Sequence, residues 1–344
     1  MATMPASHRP PVVGVLIVLV AASLFGTLGP LSRFAYEAGM EPLAFVGWRA
    51  AIWFLGTAAF VAWRIASRGE RLTRLGDLDR SARLSLFIAA VMGFTLNLCM
   101  FIAFDRITVA LALLGFYTYP VLVATGSVLL GREPLDRPRV AALILAVLGM
   151  VAVVASQLDP DAGIRFDLLG VGLTLGAALS QAVFVMLSRA GYRAVPADQA
   201  MAVVLAVTVA GCVTLTLATG AASALAYPLE APSLVPLLSF SGLFAAAIPS
   251  MLFLTGIRLV GGTGAGILML FEPVVGVVLA AWLLAEALAP IQVLGGLSIL
   301  AAALILQRAA PAADRIVAAP AIEADSSGSD APPSALPLHG SPER

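Results

Sequence analysis

Glu272 is the only ionisable residue in the run LMLFEPVVGVVLAAWLL, residues 268–284. If that run lies in a bilayer, a carboxylate at its centre costs about 2.5–3.5 kcal/mol on insertion scales. A residue kept at that cost points to a task, either carrying a proton or docking a cationic group; the alternative is a packing partner for another polar side chain. Pro273 follows it. Proline removes one helical donor and frees carbonyls that can line a cavity. Arg49, in FVGWRAAIWF, lies about seven residues, ~10 Å, inside the end of its apolar run. It either snorkels to the interface or holds a carboxylate with its fork of donors. Glu272 and Arg49 together would suit the two ends of an amino acid. Asn97, in GFTLNLCMF, and Gln181, in ALSQAVF, are amides that donate to a substrate or link helices. Tyr117 and Tyr119 offer hydroxyls beside Pro120. Trp48, Trp53 and Trp63 read as packing or interface residues. Glu133 and Glu286 each follow an apolar segment and precede the next, where a carboxylate caps free backbone amides.

Other chemistries lack their parts. The two histidines, His8 and His339, lie near the two ends of the chain, so no His-based metal site or His general base is expected in the apolar body. Cys99 and Cys212 sit in apolar runs and read as buried thiols. The run GGTGAG, 261–266, has no lysine and continues into apolar sequence. It reads as close packing by small residues, and no phosphate loop is expected. No cofactor or metal is expected.

The composition says what must hold these residues. Of 344 residues, 60% are hydrophobic and 12% charged, and mean hydropathy is +0.99. That is too apolar to cover a soluble globule, for which about 25% charged residues is usual. Net charge is zero, and no nucleic-acid partner is expected. Ten apolar segments can be drawn, at 12–32, 42–63, 84–104, 108–130, 138–156, 168–188, 198–219, 234–257, 262–284 and 290–307. Each approaches the ~20 residues that span ~30 Å of hydrocarbon as a helix. None shows the alternation of a barrel strand. The first segment is expected to be retained rather than cleaved as a signal peptide.

Arginine supplies all of the basic charge. With the N-terminus inside, sixteen arginines fall on the cytoplasmic side and three, Arg33, Arg106 and Arg165, outside. This asymmetry predicts two cytoplasmic termini. Residues 1–11 are then a cytoplasmic segment, 157–167 an outer linker, and 308–344, rich in Pro, Ala, Ser and Asp, a disordered cytoplasmic tail.

The chain also repeats itself. PLSR at 30–33 recurs as MLSR at 186–189, and YPVLVATGSVLLGREPL at 119–135 aligns without a gap to EPVVGVVLAAWLLAEAL at 272–288. Pro120 falls on Pro273, Glu133 on Glu286 and Tyr119 on Glu272. The period of roughly 155 residues contains five segments. Since five is odd, the second copy must be inverted in the membrane, the layout of many secondary transporters. The copies are placed at 12–156 and 168–307. These motifs resemble the EamA family of the drug/metabolite transporter superfamily over about 12–307. The chain departs from the family's pattern at Phe25-Gly26, where many members have Trp-Gly, and at Ala285-Glu286, where Gly-Glu is frequent. The resemblance implies an all-α bundle of ten transmembrane helices in two inverted five-helix repeats around a central cavity. It also implies export of small metabolites or amino acids, often driven by protons.

The expected function is therefore secondary active transport at the plasma membrane by alternating access, with amino acids and related compounds leading. Glu272, Arg49, Asn97, Gln181, Tyr119 and Tyr117 are the candidate substrate or proton ligands, and Pro120 and Pro273 the helix breaks. A small-molecule substrate, the bilayer and, as an option, a second copy of the chain are the expected partners. A membrane receptor or scaffold without transport, and an intramembrane enzyme, are the alternatives.

Overall fold

A computed structural model describes residues 12–69, 72–107, 109–131, 135–156, 167–284 and 289–308, all within one unit spanning Met1–Pro311. The expected caps Glu133 and Glu286, the expected 1–11 segment, residues 157–166 of the expected linker and residues 309–344 of the expected tail lie outside the described residues. The helices are α1 (Val12–Phe25), α2 (Leu28–Glu37), α3 (Pro42–Arg68), α4 (Arg80–Arg106), α5 (Val109–Phe116), α6 (Tyr119–Leu129), α7 (Arg137–Ala155) and α8 (Leu168–Ala190). They continue with α9 (Ala197–Ala218), α10 (Ala222–Glu230), α11 (Val235–Gly242), α12 (Ile248–Val260), α13 (Gly262–Met269), α14 (Glu272–Leu284) and α15 (Pro290–Arg308). Among the described residues, seven helices are long and apolar enough to cross a membrane, and three shorter apolar helices, Val12–Phe25, Gly262–Gly276 and Pro290–Leu306, accompany them.

Several helix starts follow from short polar side chains placed ahead of the apolar run. Asp79 accepts from the amides of Ser81 and Ala82, at 3.1 and 3.3 Å. Asp136 accepts from Arg139 N at 3.2 Å. Asp167 accepts from Leu169 and Gly170. Each cap satisfies amides that the first turn leaves without a partner.

Four of the ten predicted segments are not single helices. Segment 12–32 is α1 and α2, 108–130 is α5 and α6, and 262–284 is α13 and α14. Segment 234–257 is α11 and α12 joined by a π-helical turn, Leu243–Ala247, just before Pro249. Three of the breaks lie just ahead of a proline. An unbroken helix would bond the amide of residue i to carbonyl i−4, and Pro30, Pro120 and Pro273 have no N–H to give to Gly26, Phe116 and Met269. The chain tightens instead. Thr118 N donates to Gly115 O and Phe271 N to Leu268 O; Val121 N then donates to Thr118 O and Val274 N to Phe271 O. These bonds match one for one at the repeat offset of 153 residues. In α8, Met186 stands where the first copy has Pro30, and the helix runs unbroken from Leu168 to Ala190.

Packing is set by small residues inside and large ones outside. Ala21, Ala22, Ala89, Ala90, Ala142, Ala146, Ala178 and Ala302 are fully buried, whereas Leu55, Leu129, Leu148, Leu217 and Leu294 are more than half exposed. Hydrocarbon tails are as apolar as leucine, so helices associate here through close van der Waals fit. At the α7–α15 crossing a Cβ on Gly149 would meet Gly295 O at 2.6 Å, and one on Gly295 would meet Gly149 O at 2.6 Å. The principal pairings are reciprocal between the copies: α4 packs on α8 as α12 packs on α1, while α3–α9 and α7–α15 join equivalent elements, and α6 packs on α13.

The contacts also give helix directions. Gly14 lies at Leu259 and Val260, and Gly256 at Val18, so α1 and α12 are antiparallel. Gly170 lies at Arg106 and Ile107, and Gly191 at Ser85, so α8 opposes α4. The C-terminal ends of α8 and α12 meet, with Arg189 Nη1 donating to Ile257 O at 3.2 Å and the Arg258 guanidinium over the Tyr192 ring. The α1 helix therefore runs opposite to α8. At this same end Arg64 pairs with Asp198 at 3.1 Å, and Thr73 exchanges two hydrogen bonds with Gln199.

At the other end Arg106 Nη1 bonds Asp167 Oδ2 at 3.0 Å, tying the end of α4 to the start of α8. The Arg106 guanidinium, helped by the Leu169 and Gly170 amides, holds the Asp167 carboxyl below the usual carboxylate range. A lowered folded-state value stabilises above the unfolded one, and the gain disappears as pH falls through the lowered value. Thermal unfolding in detergent is therefore expected to show Asp167→Asn less stable than the parent at pH 7, with the deficit gone near pH 2. A deficit that persists in acid would assign the effect to the cap alone.

Candidate functional site

Glu272 opens α14 directly after the Leu270–Phe271 turn. It stands eleven residues past Gly261, where α12 turns into α13, so its depth is about 16 Å along the helical path. The turn at Gly261 has φ +90°, which a side chain would strain, and the whole of α13, Gly262–Met269, is buried. Gly266 packs against Pro120 Cα at 3.5 Å and the Tyr119 ring at 3.6 Å, measured from the Cβ it lacks. The start of α6 is thereby held against α13, the helix that leads into Glu272; Tyr119 and Glu272 stand at equivalent places in the two copies.

The groups around Glu272 come from the first copy. The Tyr117 hydroxyl is the hydrogen-bonding neighbour of its carboxyl, and Tyr119 lies within its electrostatic reach. Tyr119 is 1% exposed, and its hydroxyl finds no hydrogen-bond partner. The Phe116 ring stacks obliquely on both tyrosines, at centroid distances of 5.5 and 5.2 Å. From α1, Gly26 fits against the backbone: a Cβ there would meet Glu272 O at 2.8 Å, the Val275 Cβ at 3.2 Å and Gly276 N at 3.3 Å. Three interrupted helical segments thus meet at one residue: Tyr117 reaches the Glu272 carboxyl and Gly26 its backbone carbonyl. Ala265 and Met269 belong to α13, on the far side of the break from Glu272, whereas Gly276 lies in α14 with it and makes the crossing with Gly26, whose carbonyl a Cβ on Gly276 would meet at 3.6 Å.

Arg49 is 4% exposed and does not reach the interface. Its Nη2 donates to Asn97 Oδ1 at 2.6 Å, and Asn97 Nδ2 donates to Gly93 O at 2.8 Å. The guanidinium lies over the rings of Phe101, at 5.0 Å, and Phe45, at 5.8 Å. Tyr36 and Cys212 are the titratable groups that act on it. Arg49 and Glu272 form no ion pair; their neighbours differ, and the structure does not bring them together. Two further polar groups share the buried stripe of α3 with Arg49, namely Trp53, 7% exposed, and Thr57, 0%. Arg49 Nε, Trp53 Nε1 and Thr57 Oγ1 are buried without a hydrogen-bond partner, as is the Tyr36 hydroxyl. The sequence reading placed Trp53 in packing and passed over Thr57; the four-residue spacing from Arg49 was the available signal.

Gln181, on α8, is 7% exposed. It lies between the level of Thr174, which meets Gly115, and that of Met186, which meets Gly126. It thus stands along α5–α6 near the tyrosines. Trp48 bonds Leu225 O through Nε1 at 2.8 Å, and Trp63 is exposed. Among the described residues no three His, Cys, Asp or Glu side chains gather as a metal site would require.

The comparisons with known proteins agree with this architecture. The EamA-like transporter family matches twice, at residues 12–155 and 168–308. None of the curated proteins compared with the chain matches it. A solved crystal structure is similar over 85% of this chain and 96% of that one, at 19% identity with a TM-score of 0.66; at that identity it speaks for the fold alone. The double match identifies a helical, multi-pass membrane protein of the drug/metabolite transporter type.

The tight fit at Gly26 makes a prediction. Gly26→Val should push the Glu272 carbonyl aside and lower stability by about 1–3 kcal/mol. Gly276→Ala, which meets only ordinary contact, should change it by less than about 0.5 kcal/mol. Thermal unfolding in detergent distinguishes the two.

Proposed function

The chain belongs to the EamA-like transporter family, and from that premise we propose that it is a secondary active transporter. It exports a small metabolite, with amino acids and related compounds as the leading class, by alternating access. The observation that carries the reading is the surrounding of Glu272. The carboxyl belongs to the second copy, while Tyr117 and Tyr119 around it, and Gly26 against the Glu272 backbone carbonyl, belong to the first. Any rocking of one copy against the other must remake these contacts. The protonation or occupancy of one carboxyl is thereby coupled to which face is open. Glu272 takes up a proton or the cationic end of the substrate, and the helix breaks at Pro120 and Pro273 supply the hinges and free carbonyls beside it. Asn97, Gln181 and Arg49 provide the remaining polar surface.

The transport layout is ten crossings in two inverted halves, 12–156 and 168–307, in the plasma membrane with both termini cytoplasmic. Three observations favour it. Three short apolar helices accompany seven long ones, α1 runs opposite to α8, and the end carrying Arg64, Arg189 and Arg258 is the arginine-rich one, as a cytoplasmic face should be.

Two experiments test this. Purified protein in liposomes should move labelled amino acids under an imposed pH gradient. Glu272→Gln should reduce gradient-driven flux to near background while counterflow exchange partly survives; full gradient-driven flux in the mutant removes the coupling role. For the layout, Gly76→Cys and Asp167→Cys in a background with Cys99 and Cys212 changed to Ser should be labelled by an impermeant maleimide from opposite sides. Labelling of both from one side would overturn the crossing pattern.

A further inference from the structure

We infer that the buried stripe of α3 is a recognition site for an organic monocarboxylate, with Arg49 as its charge partner and Trp53 and Thr57 as the donors below it. This deepens the transporter reading by naming the substrate's anionic end, and rests on that reading only for the passage of the substrate, not for its binding.

The site is defined by donors that lack acceptors. Arg49 is 4% exposed, forms no ion pair, and keeps its Nε–H unused. Asn97 answers one guanidinium nitrogen but brings no charge, and both functional atoms of its own amide are occupied. A guanidinium withdrawn from water without a counter-charge is one of the costlier arrangements a protein can hold. Asp105 acts on Tyr36, and the groups that act on Arg49 itself are Tyr36 and Cys212, neither of them a carboxylate. An anion from outside the chain is what the geometry lacks.

The neighbouring donors strengthen the case because their counterparts elsewhere are satisfied. Thr95, Thr208, Thr216 and Thr255 each donate to the carbonyl four residues earlier, at 2.7–2.9 Å. This is the ordinary resting place of a hydroxyl on a membrane helix. Thr57 is fully buried, has the Trp53 carbonyl at that same spacing, and makes no such bond. Trp48 donates its indole N–H to Leu225 O, while the Trp53 N–H, on the buried face, donates to nothing. Arg49, Trp53 and Thr57 follow one another at four-residue spacing, each about 6 Å further along α3. They form a ladder of donors from Arg49 inward.

Ligand class follows from the donor types. Arginine Nε and indole N–H can only donate, so the ligand must bring acceptor oxygens. One guanidinium balances one negative charge, which fits a carboxylate rather than a phosphate dianion. The Phe45 and Phe101 rings flank the guanidinium, and such walls suit an apolar body behind the carboxylate. The Tyr36 hydroxyl, unpartnered and within reach of Arg49, completes the outer end.

The test uses the full chain in detergent with four probes, 4-methylpentanoate, its amide, 3-methylbutylamine and inorganic phosphate, read by tryptophan emission and thermal shift. The carboxylate should bind saturably and raise the unfolding temperature; the amide, amine and phosphate should not. Thr57→Val and Trp53→Phe, which remove a donor and keep most of the volume, should each weaken carboxylate binding about tenfold or more. Asn97→Asp places a permanent carboxylate beside Arg49 Nη2. It should raise the unfolding temperature without ligand and abolish the response to 4-methylpentanoate. No saturable carboxylate binding to the parent protein, or parental affinity in Thr57→Val and Asn97→Asp together, overturns the site. Parallel flux measurements separate the two readings. Metabolite flux without carboxylate binding overturns the site and leaves the transporter; carboxylate binding lost in the variants, with no metabolite moved, overturns the transporter and leaves the site.

Discussion

A backbone carbonyl deep in a bilayer has no water to accept from, so whatever removes its helical donor shapes everything near it. Pro30, Pro120 and Pro273 do this to Gly26, Phe116 and Met269. At each the helix stops and restarts, at 26–27, 117–118 and 270–271. Breaks at such depth are tolerated where protein surrounds them, and here they surround one another. Gly26 fits against the Glu272 backbone, Gly266 against Pro120, and the Tyr117 side chain reaches the Glu272 carboxyl. A residue whose carboxyl would be a liability on an unbroken, lipid-facing helix becomes the meeting point of three broken ones.

The repeat supplies the frame, and the differences between its two copies give it polarity. The two breaks at 117–118 and 270–271 keep the same hydrogen bonds at one offset. The side chains that follow them differ, Tyr119 in one copy and Glu272 in the other. The first segment is broken at Gly26 because Pro30 follows, and its counterpart α8 is continuous because Met186 takes that place. Gln181 in α8 likewise stands where the first copy has Phe25. A symmetric scaffold thus holds an asymmetric set of polar groups, with one acid rather than two at the centre.

The second polar group has a different physical character. Glu272 is met by tyrosines across the contact between copies, whereas Arg49 is held within the α3–α4 pairing by an amide and two aromatic rings. Where Thr95, Thr208, Thr216 and Thr255 close their hydrogen bonds on their own helix, the α3 stripe leaves its donors open. Alanine and glycine at the other crossings permit backbones to approach within van der Waals contact, as at Gly149 and Gly295.

The apolar runs, the arginine asymmetry, the five-segment period and the Pro120–Pro273 and Tyr119–Glu272 correspondences are properties of composition and spacing, and the sequence by itself was enough to establish a helical membrane protein built from two copies. The caps at Asp79, Asp136 and Asp167 were not anticipated, although a cap acts only on the next three residues. The breaks were harder to read, because a proline bends a helix or ends it according to what packs against the freed turn. Partnership was not legible at all. Arg49 and Asn97 are 48 residues apart and Tyr117 and Glu272 more than 150, and an amino-acid-like pairing of Arg49 with Glu272 was as consistent with the spacing as the contacts found. Whether a buried donor is answered depends on which helix stands opposite it, and that is decided only when the two copies pack.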